Sequence, residues 1–376
     1  MSEEKHRAWL AIDKEILTNN YQNLRTFLPE KTGMIAIVKC DGYGLDSVQE
    51  AWTLSDLGVD CFGVACCYEA IGLRRGGIRG DILVLSHTLP YQFDRLVADE
   101  LIQTVGDVEY AKELIKYADQ CGQPIKIQLK IDTGMHRLGI SDEYDLAELK
   151  KVIGCPELEL IGCFSHFAVA DSNKPEDIEF TKQQKVRFDR WLTKAREQGI
   201  NPGVTHLAAS AAIVNYPEFL ADYDYCRPGI LFWGYDSGEM KHPYVREEAF
   251  SLLSQIEKID ILPQDQTIGY GRIYKAGSDL KVATIPIGYG DGVPRNYLTG
   301  EVLIQGVRCP IIGRISMDQL CVNVTGLDKV KLFDEVVLIG KQGDQTITVR
   351  EMADKCGTIP NEITTGFNQR LLRVYY

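Results

Sequence analysis

MIAIVKCDGYG, residues 34–44, is the stretch on which the reading of the whole chain turns. Five apolar residues make a strand-length run, Lys39 stands directly after it, and Gly42 and Gly44 then turn the chain away. The same form recurs in CFGVAC, DILVLS, LIQTV, IKIQLKI, LELIGCFSHF, VTHLAA and YDYCRPGI, which gives eight strand candidates ending near residue 230. Segments of helical periodicity separate them, at 47–57, 107–120 and 176–198 among others. This alternation predicts a parallel (β/α)8 TIM barrel, and residues 1–244 are assigned to it.

Beyond residue 245 the pattern changes. LLSQIEKIDIL, LKVATIPIGYG, EVLIQG, DQLCVNV, EVVLIG and QTITV follow one another with Gly, Pro and Asp turns between them, and a helix is predicted at 349–355. Short strands without crossover helices predict a second, mainly antiparallel β-domain over 245–376, with the boundary inside 241–246.

Composition narrows the function classes. The 376 residues are 45% hydrophobic and 25% charged, ordinary for a globular protein with a sizeable core. The net charge of −12 argues against a nucleic acid or an acidic membrane as partner, because those need clustered Lys and Arg. Any phosphate bound here must be gripped locally. The 11 cysteines are scattered, often beside strand-like runs, which fits free thiols in a reducing cytosol. With no CxxC pair and no His-x-x-x-His, no metal site is expected. No apolar run approaches the roughly 20 residues that span a bilayer, and the N-terminus lacks a signal-peptide profile, so a soluble cytoplasmic chain is expected. A membrane domain in a longer natural chain stays open as an alternative.

In a barrel of this type the reactive groups stand at the C-terminal strand ends. A lysine at the mouth of a buried strand loses hydration, which lowers its pKa and frees the amine to form a Schiff base with an aldehyde. Taken alone, Lys39 also reads as nothing more than the first solvated residue after a strand. CRPGI (226–230) supplies Arg227 and a turn in which Gly229 and Ile230 offer N–H groups to an anion. Ser210 adds a hydroxyl near a helix start, and Tyr43 another. Each is a common device singly; together they form a phosphate cup.

These strings are joined by LKIDTGMHRLG (129–139), FSHFAVAD (164–171), HLAASAA (206–212), IGYGRIY (268–274), IPIGYGDG (285–292) and RISMDQ (314–319). In this order, and over nearly the whole length, the chain resembles the alanine racemase family of fold type III pyridoxal-phosphate (PLP) enzymes. The resemblance implies a homodimer with shared active sites that interconverts the L- and D-forms of a small amino acid. Lys39 would carry PLP as a Schiff base, Tyr43, Ser210, Gly229 and Ile230 would cradle its phosphate, and Arg227 would meet the ring nitrogen. A guanidinium does not readily yield a proton, so the ring is a weaker electron sink than with an aspartate there, which suppresses transamination.

Racemisation needs an acid/base group on each face of the substrate Cα. The resemblance assigns these to Lys39 and to Tyr270 of the partner subunit, and Tyr289, nineteen residues further on, keeps the family spacing and faces the substrate. As an isolated GYG, Tyr270 reads as a turn aromatic. An ordinary tyrosine pKa near ~10 makes a poor base, so a network of His166, His206 and Arg227 is expected around the cofactor and behind that tyrosine. Arg137 would steady the cofactor phenolic oxygen and the substrate carboxylate, and Met317 would add its backbone N–H to that carboxylate. Lys130 matches a lysine that is carbamylated in many members; its other reading is an ordinary ion pair.

Departures from the family bear on the substrate. Leu45-Asp46, Ala209 and Ser316 differ from its usual residues, and within EITTGFNQRLLR (362–373) Asn368-Gln369 stand where it usually has a tyrosine that narrows the pocket. An amide can partner a substrate hydroxyl. In this the chain resembles the serine/alanine racemase domain of VanT-type vancomycin-resistance proteins. The reading predicts a racemase of L-serine, with L-alanine second, supplying D-amino acid for peptidoglycan precursors. The competing readings are an ordinary alanine racemase, a fold type III amino-acid decarboxylase and a PLP-binding protein without catalysis.

Overall fold

The apolar run at the start of the barrel is split into two short strands, Gly33–Met34 and Ala36–Ile37, and the split closes the sheet on itself. Gly33–Met34 pairs with Tyr225–Arg227, the last parallel strand, while Ala36–Ile37 pairs with Cys61–Val64, the next in sequence. Between them run Asp81–Val84, Leu101–Val105, Ile125–Asp132, Leu158–Phe164 and Val204–Ala209, each parallel to its neighbours. Phe62, Leu83, Ile127 and Leu129 are fully buried, as a sheet covered on both faces requires. The structure, a computed structural model, describes residues 6–236, 238–239 and 246–376.

The three predicted barrel helices form at Ser47–Asp56, Val108–Cys121 and Pro175–Glu197. Asp46 and Asp107 accept the first free N–H groups of two of them, and Pro175 opens the third with its preset φ. No helix among the described residues is long and apolar enough to cross a membrane.

The second sheet runs in the order Lys258–Leu262, Leu280–Ile285, Leu320–Asn323, Val307–Ile312, Glu301–Ile304, Glu335–Gln342, Phe250–Gln255, Ala8–Ile12 and Leu372–Tyr375. All neighbours in it are antiparallel except the last pair. The helix expected at 349–355 is Val349–Cys356, capped by the Thr348 hydroxyl. Ala8–Ile12 corrects the assignment of everything before residue 245 to the barrel. This strand lies between Phe250–Gln255 and Leu372–Tyr375, where Leu10 and Ile12 are buried and so removed from water. The expected boundary falls largely outside the described residues, at 241–245. On either side of it the units are stitched by Asn20, whose Nδ2 donates to Phe232 O (2.9 Å) and Glu247 O (2.8 Å).

A second junction decides how the barrel mouth is roofed. Helix Pro360–Thr365, not anticipated from the sequence, packs on the turn that follows Lys39. Gly44 has φ +85°, and a methyl group there would run into the carbonyl oxygen of Thr364. Gly44→Ala should therefore lower the thermal unfolding midpoint, at a cost of about 1–3 kcal/mol or more from backbone strain alone. An unchanged midpoint would contradict this packing.

Candidate active site

The barrel ladder reaches Val38, whose N–H donates to Gly63 O at 2.9 Å. Beyond Lys39 the chain runs left-handed for four residues: φ is 54° at Cys40, 54° at Asp41, 62° at Gly42 and 59° at Tyr43. L-residues avoid this region at roughly 1–2 kcal/mol each, so the turn exists only because its surroundings impose it. Its effect is to send Tyr43 across to the Pro228-Gly229 turn, where a Cβ on Gly229 would collide with the Tyr43 hydroxyl. Ser210 Oγ accepts the Gly229 N–H at 3.1 Å. Tyr43, Ser210 and Gly229 thus meet at one point, with Ile230 starting the short helix Ile230–Trp233 behind them.

This cup forms one wall of a cavity of about 580 Å³. Lys39, Tyr43, Lys130, Arg137, His166, Ser210, Arg227 and Ile230 all line it, so eight residues named from the sequence converge there. Burial lowers the Lys39 pKa, Arg137 and Arg227 push the same way, and Glu69 opposes them. Lys130 falls to about 8, from burial first and then Arg137 and Arg227. No carboxylate stands within ion-pair distance of Lys130 among the described residues; its Nζ lies 5.7 Å from the Phe164 ring centroid. Burial pushes Tyr43 well above its usual pKa, which keeps its hydroxyl a donor.

Arg227 is held by neutral partners. Its Nη2 donates to Ser165 O (2.8 Å), Leu207 O (2.9 Å) and His166 Nδ1 (3.1 Å), and its Nη1 donates to His206 Nδ1 (2.7 Å). His206 in turn meets Gln128 Oε1 at 2.7 Å. Burial and the neighbouring guanidinium drive both histidines well below their usual pKa, so they are neutral imidazoles with Nδ1 as acceptor. Arg227 itself falls to about 10 through burial, high enough to stay charged at neutral pH. His206 stacks on Phe164 with ring centroids 4.7 Å apart, which fixes the imidazole plane.

Three features escaped the sequence reading. Asp132 Oδ1 accepts the N–H groups of Gly134 (2.8 Å), Met135 (3.0 Å) and His136 (3.1 Å) and so shapes the loop that carries Arg137. The Asp-Thr-Gly pattern was the available signal, since an aspartate commonly caps a turn of this kind. Asn361, at the start of helix Pro360–Thr365, lines the cavity from the second domain, and its Oδ1 is buried without a partner. Glu50 lies beneath the left-handed turn.

Other named residues stay outside this cavity. Tyr270 is 71% exposed on the second domain. Tyr289, Met317 and Asn368 gather at another point of that domain: the Gly290 N–H donates to Met317 O (2.8 Å), the Tyr289 N–H donates to Ser316 O (3.1 Å), and Asn368 Nδ2 donates to Gly290 O (2.9 Å). Asn368 and Gln369, expected to make the pocket polar, do not line the cavity wall. The Asn368 amide is engaged by Gly290 O and the Arg370 N–H, and both residues are exposed.

The parts present fit PLP: a lysine amine with a lowered pKa, a neutral hydroxyl pair beside a glycine that tolerates no side chain, and a guanidinium on neutral supports. Fold and lining together define a barrel protein whose strand-end cavity suits a phosphorylated aldehyde. A family model described as "Alanine racemase, N-terminal domain" matches residues 12–237, and one described as "Alanine racemase, C-terminal domain" matches residues 249–375. The alanine racemase of Methanococcus maripaludis is 34% identical over 98% of this chain and 99% of its own length. That of Clostridium perfringens is 36% identical over 98% and 95%. The solved alanine racemase of Clostridium difficile superposes with a TM-score of 0.93 at 31% identity, covering 99% of this chain and 96% of its own. A histidine racemase from Leuconostoc mesenteroides shares the fold as well, at TM-score 0.89 and 25% identity over 100% of this chain and 99% of that one. The chain belongs to the alanine racemase family, whose members depend on PLP.

Glu50 is 1% exposed, and neither of its carboxyl oxygens has a hydrogen-bond partner. Burial pushes its pKa well above the carboxylate range; the Trp233 indole, close by but not in hydrogen-bonding geometry, pulls the other way. The native state therefore keeps a proton that the unfolded chain releases above pH 4.5, so this group lowers stability as pH rises from there toward its folded pKa. Relative to the parent, Glu50→Gln should gain unfolding temperature between pH ~4 and pH ~8, measured by thermal melts at both. A constant difference at the two pH values would contradict a protonated Glu50.

Proposed function

We propose that this chain is a PLP-dependent alanine racemase that works as a homodimer, with Lys39 on one face of the substrate Cα and Tyr270 of the partner subunit on the other. The observation that carries this reading is their separation: Lys39 lines the cavity, while Tyr270 stands exposed on the second domain and does not line the cavity of its own chain. A second copy that brings Tyr270, Tyr289 and Met317 over the mouth supplies the missing acid/base group.

When bound, PLP supplies an electron sink that makes the hydrogen on the substrate Cα acidic. Lys39, with its lowered pKa, takes or returns the proton on its face, and Tyr270 of the partner subunit does so on the other. Arg137 lines the cavity at an exposed position, where its planar fork can hold the substrate carboxylate. Tyr43, Ser210 and the Gly229-Ile230 backbone would hold the phosphate, and Arg227 would meet the ring nitrogen without giving up its proton. Lys130, with a pKa near 8 and no ion pair among the described residues, suits carbamylation, and the resulting anion would orient Arg137.

Alanine comes first as substrate because relatives at 34% and 36% identity over nearly the full chain are named for it. Serine is the second reading, favoured by Asn361, which places an amide in the wall where a substrate hydroxyl could find a partner. Incubating the PLP-loaded protein with L-alanine and L-serine separately should yield D-isomer from each, with the larger kcat/KM for alanine. A larger value for serine would install the second reading, and no D-isomer from either would contradict both. Tyr270→Phe should lower kcat by about 10²–10⁴-fold while the cofactor absorbance stays; undiminished turnover would remove Tyr270 from the reaction.

A further inference from the structure

We infer that Glu69 is a positioning residue for Lys39, clamping the first peptide of the left-handed turn to the neighbouring barrel strand and fixing the direction in which the lysine leaves the barrel. The inference rests on the racemase reading for its consequence but not for its geometry.

Glu69 belongs to helix Cys67–Arg75, which follows the neighbouring strand Cys61–Val64. Its Oε1 accepts the Cys40 N–H at 2.6 Å and its Oε2 accepts the Ala65 N–H at 2.7 Å. These two N–H groups mark the point where the parallel ladder between the strands gives out. Ala36–Ile37 and Cys61–Val64 are in register up to Ile37 and Gly63, and the Val38 N–H still donates to Gly63 O. At Cys40 the backbone turns left-handed and can no longer follow the sheet. The carboxylate spans the gap and replaces the next rung, in the charge-assisted form that makes such bonds short and strong. Because Cys40 is exposed, water could take its N–H instead, but water would not tie the turn to the next strand.

The same carboxylate acts on the Lys39 charge. Arg137 and Arg227 face Lys39 and favour its neutral amine, as burial does; Glu69 and the Cys40 thiol favour the protonated form. Lys130 and His166, across the cavity, also sense Lys39. Glu69 is the carboxylate among these groups, and it keeps Lys39 able to hold the proton it must pass to the substrate.

The test uses Glu69→Gln, which keeps the size and removes the charge, and Glu69→Asp, which keeps the charge on a stem too short to reach both N–H groups. Three quantities are read: kcat and KM for racemisation, the melting temperature, and the pH midpoint for borohydride trapping of PLP on Lys39. Glu69→Gln should lower the trapping midpoint and reduce kcat by roughly 10- to 100-fold with KM little changed. Glu69→Asp should restore the midpoint toward that of the parent but not kcat. A Gln variant that matches the parent in kcat and midpoint overturns the inference, as does an Asp variant with full kcat. If the parent itself neither traps PLP at Lys39 nor racemises, the racemase reading has failed instead. Should Glu69→Gln not fold, the Asp variant decides.

Discussion

Four consecutive residues after Lys39 run against the handedness that L-amino acids prefer, and three of them are not glycine. The fold has to hold that turn, and most of what surrounds it does so. The Gly42 N–H returns to Val38 O at 3.0 Å, and the Leu45 and Asp46 N–H groups both return to Asp41 O at 2.9 Å. The Gly44 backbone lies against Thr364, Glu50 packs beneath Gly42, and the Glu69 carboxylate ties off Cys40. The turn in exchange fixes two things that a relaxed loop would leave free. Lys39 is presented at the barrel mouth in a single direction, and Tyr43 is carried over to Ser210 and Gly229, where the phosphate cup needs it.

Electrostatics explains why this place suits an anion in a protein whose net charge is −12. Lys39, Lys130, Arg137 and Arg227 line one cavity, while the histidines between them are kept neutral. Cations gathered in a desolvated site disfavour one another, which is why the Lys39 and Lys130 pKa values fall. A phosphate at one end and a carboxylate at the other would relieve that repulsion. Arg227 shows the same economy: its hydrogen-bond partners are neutral, so its charge would stay available to a bound ring.

Much of this was legible in the sequence because a barrel puts chemistry at strand ends, and strand ends can be found by where an apolar run stops. Lys39, Arg137, His166, Ser210 and Arg227 were found in that way or by family resemblance, and they line one cavity. What was not legible depends on pairings distant in sequence. Nothing in AWLAI shows that it completes a sheet made by residues more than 200 positions away. Glu69 reads as an ordinary acidic residue in the first turn of a helix, and its two backbone partners come from segments whose turn handedness no periodicity reveals. Asn368 and Gln369 stand outside the cavity of their own chain for the converse reason. Alignment to a family tyrosine gives a position in the chain, while the Gly290 carbonyl decides where the Asn368 amide points.

A site divided between two chains needs Lys39 from one and Tyr270 from the other. Lys39→Ala and Tyr270→Phe should each be nearly inactive alone. Unfolded together and refolded as a mixture, they form heterodimers in which one of the two sites has both residues intact, and racemase activity should return. A mixture that contains heterodimers and stays as inactive as its components would contradict a shared site.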